Sequence, residues 1–214
     1  MTQVRNLPKG RYFGDQFERM NRYYERFKKI NDGKLISVGM AESDFDDVLA
    51  FFMNCDHLLD WVINDCTVNK SHPNYPKYLK FKKKVTDFRN GEDCLKLCAD
   101  ISVGAKHLLP NRKSHFGEET ALHEGAVRLE DTENGTLIAR SWDLPSGSGK
   151  KYDAFALATQ CVTKWFDFLQ THETQIREIV PYWQEEHDTF SVDPTMIKGN
   201  VIESRYVTMR RARF

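Results

Sequence analysis

Two stretches of the chain set ionisable side chains among apolar ones at helical spacing: Cys55-Asp56-His57-Leu58-Leu59-Asp60-Trp61, and Cys98-Ala99-Asp100-Ile101-Ser102-Val103-Gly104-Ala105-Lys106-His107. His57 and Asp60 stand at i and i+3, while Asp100, Gly104 and His107 stand at i, i+4 and i+7, so each set shares one helical face. If the two helices pack together, His57, Asp60, Asp100 and His107 converge. Three chemistries then fit the same four residues. They can ligate a divalent ion collected from facing helices. They can act as acid and base, each carboxylate orienting an imidazole. Or they can form buried hydrogen-bonded pairs that fix helix register. No H-E-x-x-H, E-x-x-H or paired C-x-x-C motif favours the metal, so no metal ligand and no cofactor is assigned. Gly104, in a helix interior, points to close approach of a neighbouring helix or ligand.

A second chemistry sits on the surface. Lys77, Lys80, Lys82, Lys83 and Lys84 cluster among Tyr75, Tyr78 and Phe81. Basic residues interleaved with aromatics can track a phosphate backbone, or simply form a solvated helix face. The last ten residues add Arg205, Arg210, Arg211 and Arg213, suited to phosphate or carboxylate partners, or to docking on another subunit. The stretch Pro145 to Lys151 imitates a phosphate loop but lacks the full G-x-x-x-x-G-K-[ST] pattern, and reads as a flexible turn.

These residues need elements to position them, and the hydrophobic pattern supplies five helices. Phe13, Phe17, Met20, Tyr24 and Phe27 place a first helix over Arg11 to Ile30, stopped at Asn31-Asp32-Gly33. A short extended piece follows around Leu35 to Val38. Ser43 reads as the N-cap of a second helix running to about Asp65, burying Phe45, Leu49, Phe52, Met53, Leu59 and Val62. A proline-rich loop leads to a third, Lys77 to Phe88, apolar at Tyr78, Leu79 and Val85. A fourth spans Asp93 to Leu109, and a fifth Asp153 to about Val180. Between the last two, alternating stretches flank Asn134-Gly135 and predict a β-hairpin at about 125–141. The fold class is therefore mainly α: a bundle of four to five helices with a β-hairpin inserted before the last long helix. Residues 1–180 read as a single domain, and 181–214 as an irregular basic tail.

The bulk numbers narrow the function classes. Of 214 residues, Lys+Arg and Asp+Glu number 31 each, so any polyanion binding must come from local patches rather than overall charge. Met1 to Gly10 has no apolar core of a signal peptide, and no apolar run reaches bilayer length. Five cysteines at Cys55, Cys66, Cys94, Cys98 and Cys161 lack zinc-motif spacing and read as packed, reduced thiols. The localisation these features imply is cytoplasmic, with no membrane partner.

A helical bundle whose fourth helix carries a polar residue, six intervening positions and then His resembles the HEPN superfamily, small helical proteins of bacterial toxin–antitoxin and antiphage systems. Asp100 through His107 carries the resemblance, over about Ser43 to Pro110. Active members are RNases with Arg, four to six residues, then His. Here Asp100 stands in the Arg position, and no Arg precedes a His at that gap. The resemblance implies a HEPN-like scaffold with that nuclease chemistry missing or altered, because Asp cannot stabilise a phosphorane as Arg does. Two functions follow as expectations. One is an accessory or regulatory protein of a defence or toxin–antitoxin type, binding a protein partner, a second copy of itself or nucleic acid through the basic helix and tail. The other is a HEPN-like or metal-dependent nuclease using His57, Asp60, Asp100 and His107.

Overall fold

The computed structural model describes residues 13–36, 40–106, 114, 122–145 and 150–179, with the backbone alone for 40–42, 105 and 106. Outside the described residues lie His107, the arginines Arg205, Arg210, Arg211 and Arg213 and the rest of 180–214, residues 146–149 of the inferred flexible turn, and the expected extension of the fourth helix to Leu109.

Helix α1 (Phe13–Asp32) follows from its stripe. Phe13, Phe17, Met20, Tyr24, Phe27 and Ile30 recur every three or four residues, and all are buried. Gly33 ends it, holding a φ of 116° that side chains avoid while its N–H reaches Lys29 O at 3.0 Å. After β1 (Lys34–Leu35), helix α2 (Met40–Asp65) returns antiparallel to α1. Gln16 Nε2 donates to Asn54 O at 2.9 Å near one end of the pair, and Arg26 meets Asp47 at 3.0 Å near the other.

Helix α2 departs from expectation in two ways. It begins at Met40, so Ser43 lies a turn inside it rather than capping it. Its inward face is Val48, Phe51, Phe52, Cys55, Leu58 and Val62; Phe45 is exposed, and Leu49, Met53 and Leu59 are only half-buried. The physical reason is that Val48 to Met53 is apolar all round, so periodicity alone leaves the rotation of that stretch undetermined. The acid Asp44, next to Ser43, is fully buried. It pairs with Lys34 of β1 and with Arg140 Nε at 3.6 Å, which pins α2 to the sheet.

Helix α3 (Tyr75–Gly91) starts with Pro76 in its first turn, where a missing N–H costs nothing. It buries Tyr78, Phe81, Val85 and Arg89, and leaves the expected core residue Leu79 exposed. Leu79 follows Tyr78 by one position and so lies about 100° round the helix from it, on the flank of the buried row. Helix α4 (Asp93–Lys106) follows after Glu92.

The hairpin is longer than expected. β2 (His123–Thr132) and β3 (Gly135–Pro145) pair antiparallel through a two-residue turn, and Gly135 adopts a φ of 121°. The strands extend because β3 is central: it pairs with β2 along most of its length, with β1 at Leu137 and Ile138, and near its end with β4 (Lys151–Asp153). Its inner face carries Ile138, Trp142 and Leu144 onto the helices, the Trp142 ring lying edge-on to Phe27 at 5.9 Å. The Asp153 carboxylate then accepts the Ala156 N–H at 2.6 Å and caps α5 (Ala154–Ile179). Side chains from all five helices and β3 meet in one hydrophobic cluster. The architecture is mainly α with a small antiparallel sheet, as expected.

Candidate functional site

Helices α2 and α4 do pack together, the Cys98 thiol donating to Phe52 O at 3.3 Å. The polar residues on them divide. His57 is half-buried on α2, and Asp60, one turn on, is exposed to solvent. On α4, Asp100 is half-buried and its carboxylate accepts the Ser114 hydroxyl at 2.5 Å. His107 lies outside the described residues. Gly104 does not serve close approach among the described residues: it is exposed, with nothing within 4 Å of where a Cβ would sit.

What fills the contact between α2 and α4 is sulfur. Cys55 of α2, Cys98 of α4 and Cys161 of α5 place their Sγ atoms within 4.8 Å of one another, and all three are buried. Cys94, one turn before Cys98 on the same face of α4, is buried next to them. The Cys161 thiol donates to Cys94 O at 3.3 Å. The environments of the thiols differ. Burial pushes Cys55 up, but hydrogen bonds from Cys161 and Cys98 outweigh it and hold Cys55 below the ordinary thiol value. Burial keeps Cys98 and Cys161 well above it. The Cys161 hydrogen bond lowers Cys94. Cys66, buried apart from the group, is pushed up to about 12 by desolvation and stays an inert thiol. Trp165 faces the same cluster: its buried indole N–H lies next to Cys55 and favours negative charge there.

This group was not singled out from the sequence. Its one local signal is Cys94 and Cys98 on the same helical face. The other two members lie on separate core stripes, Cys55 on α2 and Cys161 on α5, and the three helices meet only in the fold.

The basic cluster is partly gathered. Lys80, Lys83 and Lys84 of α3 line a shallow groove of about 630 Å³, whose far side is Phe168 and His172 of α5. Phe88 stacks on Phe168 at 4.2 Å between ring centroids, and His172 stands edge-on to Phe168 at 4.5 Å, giving the groove an aromatic floor. Burial, then the neighbouring Lys84 charge, lower the His172 pKa and favour its neutral ring. Asp87 also lines the groove and pairs with Lys83, while Lys84 donates to Gln175 at 3.1 Å. Lys80 has no ion pair among the described residues. Lys77 reaches instead to Glu178 at 3.2 Å, and Lys82, though exposed, is not among the residues lining the groove.

The chain matches no family model, no curated protein and no solved structure. No helix among the described residues is long and apolar enough to cross a membrane.

Proposed function

We propose that this chain is a binding protein that holds the phosphate backbone of single-stranded nucleic acid along α3 and α5. The observation that carries the reading is the groove in which Lys80, Lys83 and Lys84 stand over an aromatic floor of Phe88 and Phe168. Charge is segregated in a way the zero total conceals. Helix α3 holds six basic residues and one acid, whereas α2 holds seven acids and neither Lys nor Arg. A polyanion approaching the molecule is thus drawn to one side and turned from another. The surface ion pairs of Lys77 and Lys83 are exposed and weak, so phosphates can compete for those ammonium groups.

A HEPN-like scaffold with Asp100 in the Arg position fits an accessory or regulatory role in a bacterial defence or toxin–antitoxin setting, where the protein binds nucleic acid without cutting it. The test is a gel shift on labelled single-stranded RNA, scored at once for binding and for cleavage. Wild-type protein should retard intact RNA, and Lys80, Lys83 and Lys84 changed together to Glu should abolish the shift. Equal shifts by both proteins would sink the reading. Cleavage lost in His107→Ala would replace it with the nuclease.

A further inference from the structure

We propose that Cys55, Cys94, Cys98 and Cys161 form a structural site for a thiophilic metal ion, Zn2+ in the first instance, at the junction of α2, α4 and α5. Three of the five cysteines in the chain, Cys55, Cys98 and Cys161, come to one point from three helices, and Cys94 lies next to them, its backbone O accepting the Cys161 thiol. Around Zn2+ with Zn–S near 2.3 Å, tetrahedral thiolates stand about 3.8 Å apart. Three of the Sγ atoms already lie within 4.8 Å of one another, so side-chain adjustments of about 1 Å complete that geometry. The fourth ligand, Cys94, stands one helical turn from Cys98, the spacing that puts two side chains of one helix on the same side.

The surroundings fit a metal thiolate better than they fit thiols alone. A buried N–H that meets only a thiol sulfur, a weak acceptor, is poorly satisfied, and the Trp165 indole beside Cys55 is such a group. A metal-bound thiolate supplies a better acceptor, and an N–H···S contact of that kind orients the ligand and tempers its charge. Loading the site displaces weak S–H···O contacts, those from Cys98 to Phe52 O and from Cys161 to Cys94 O. Each ligating thiol releases its proton to solvent, so uptake strengthens as pH rises. A disulfide meets the geometry less well. It needs two sulfurs brought to about 2.05 Å, and it would leave the other two thiols beside it. The donor set is all sulfur and wholly buried, with no position open to substrate, which marks a structural rather than a catalytic ion.

The test uses the full chain, purified and reconstituted under reducing conditions with Zn2+ or with Co2+ as a spectroscopic substitute. Wild-type protein should hold one ion per chain. Its Co2+ form should show the intense visible bands of a tetrahedral thiolate site together with sulfur-to-metal charge transfer. Cys55→Ser and Cys161→Ser should lose those bands and fall to background metal content, whereas Cys66→Ser should keep both. Trp165→Phe should keep the ion but move the charge-transfer band, because it removes the N–H without emptying the site. If a cluster variant fails to fold, the wild-type Co2+ spectrum decides alone. Wild-type protein that takes up neither ion, or gives Co2+ bands without sulfur charge transfer, overturns the assignment. So does loss of the ion in Cys66→Ser.

Discussion

The junction of α2, α4 and α5 and the groove between α3 and α5 are built from the same helix α5, yet they answer to opposite rules. At the junction Cys161 and Trp165 are almost wholly buried, and every polar atom there must find its partner inside the protein. In the groove, one and two turns further on, Phe168 lends only an edge to solvent and His172 is half-exposed. The lysines opposite them keep their charge in water. The contrast teaches that stability and binding are written on different sides of one helix, and substitutions should separate them.

The largest effect is expected at Trp165. Trp165→Ala removes a fully buried ring that meets Phe88 edge-on at 5.3 Å, and should cost about 3–5 kcal/mol in denaturant unfolding. A loss below about 1 kcal/mol would break the comparison at its core side. Next, Cys161→Ser places a hydroxyl where a buried thiol meets three others, and should destabilise by about 1–3 kcal/mol even in metal-free protein.

A pH-dependent contribution comes from Asp65 at the end of α2. Burial raises its pKa from 3.8 to about 6, against the opposing hydrogen bond from the Phe13 N–H. The folded state therefore binds the proton more tightly than the unfolded chain does. The stability this group adds is fully present below about pH 3.8 and is lost as pH rises through about 6. Asp65→Asn should flatten that part of the stability profile, read as the unfolding midpoint between pH 4 and 7. An unchanged slope would remove Asp65 as its source.

The smallest expected effect on stability is in the groove. Lys80→Glu and Lys84→Glu should each change unfolding free energy by no more than about 0.5 kcal/mol, because both side chains are exposed. Their effect should appear in binding instead. A large loss of stability would mean that the groove belongs to the core, and the contrast would collapse.

Much of the fold was legible because its signals are local. The stripe from Phe13 to Ile30, the stop at Gly33, Pro76 opening α3 and the turn before Gly135 each act within a few residues. The rotation of α2 was not legible, since an apolar run from Val48 to Met53 offers every face to a core. Nor was the role of Asp44, whose partners Lys34 and Arg140 come from two strands distant in sequence. The sites divide the same way. Lys80, Lys83 and Lys84 stand within five residues and announced a basic surface, though not the α5 side chains that complete it. The thiols announced little beyond Cys94 and Cys98 on one helical face, because their meeting depends on how three helices pack. His57 and Asp60 carried the right spacing, but the α2 rotation turns Cys55 inward and leaves Asp60 in water.

The most direct test of the binding account is the salt dependence of affinity for single-stranded RNA, measured by fluorescence anisotropy. Three lysine–phosphate contacts predict a slope of log K against log salt of about −2, since each contact on a single strand contributes about −0.7. Lys80→Gln should make that slope shallower by about 0.7 while the protein remains fully folded. A wild-type affinity indifferent to salt, or a slope untouched by Lys80→Gln, would contradict the account.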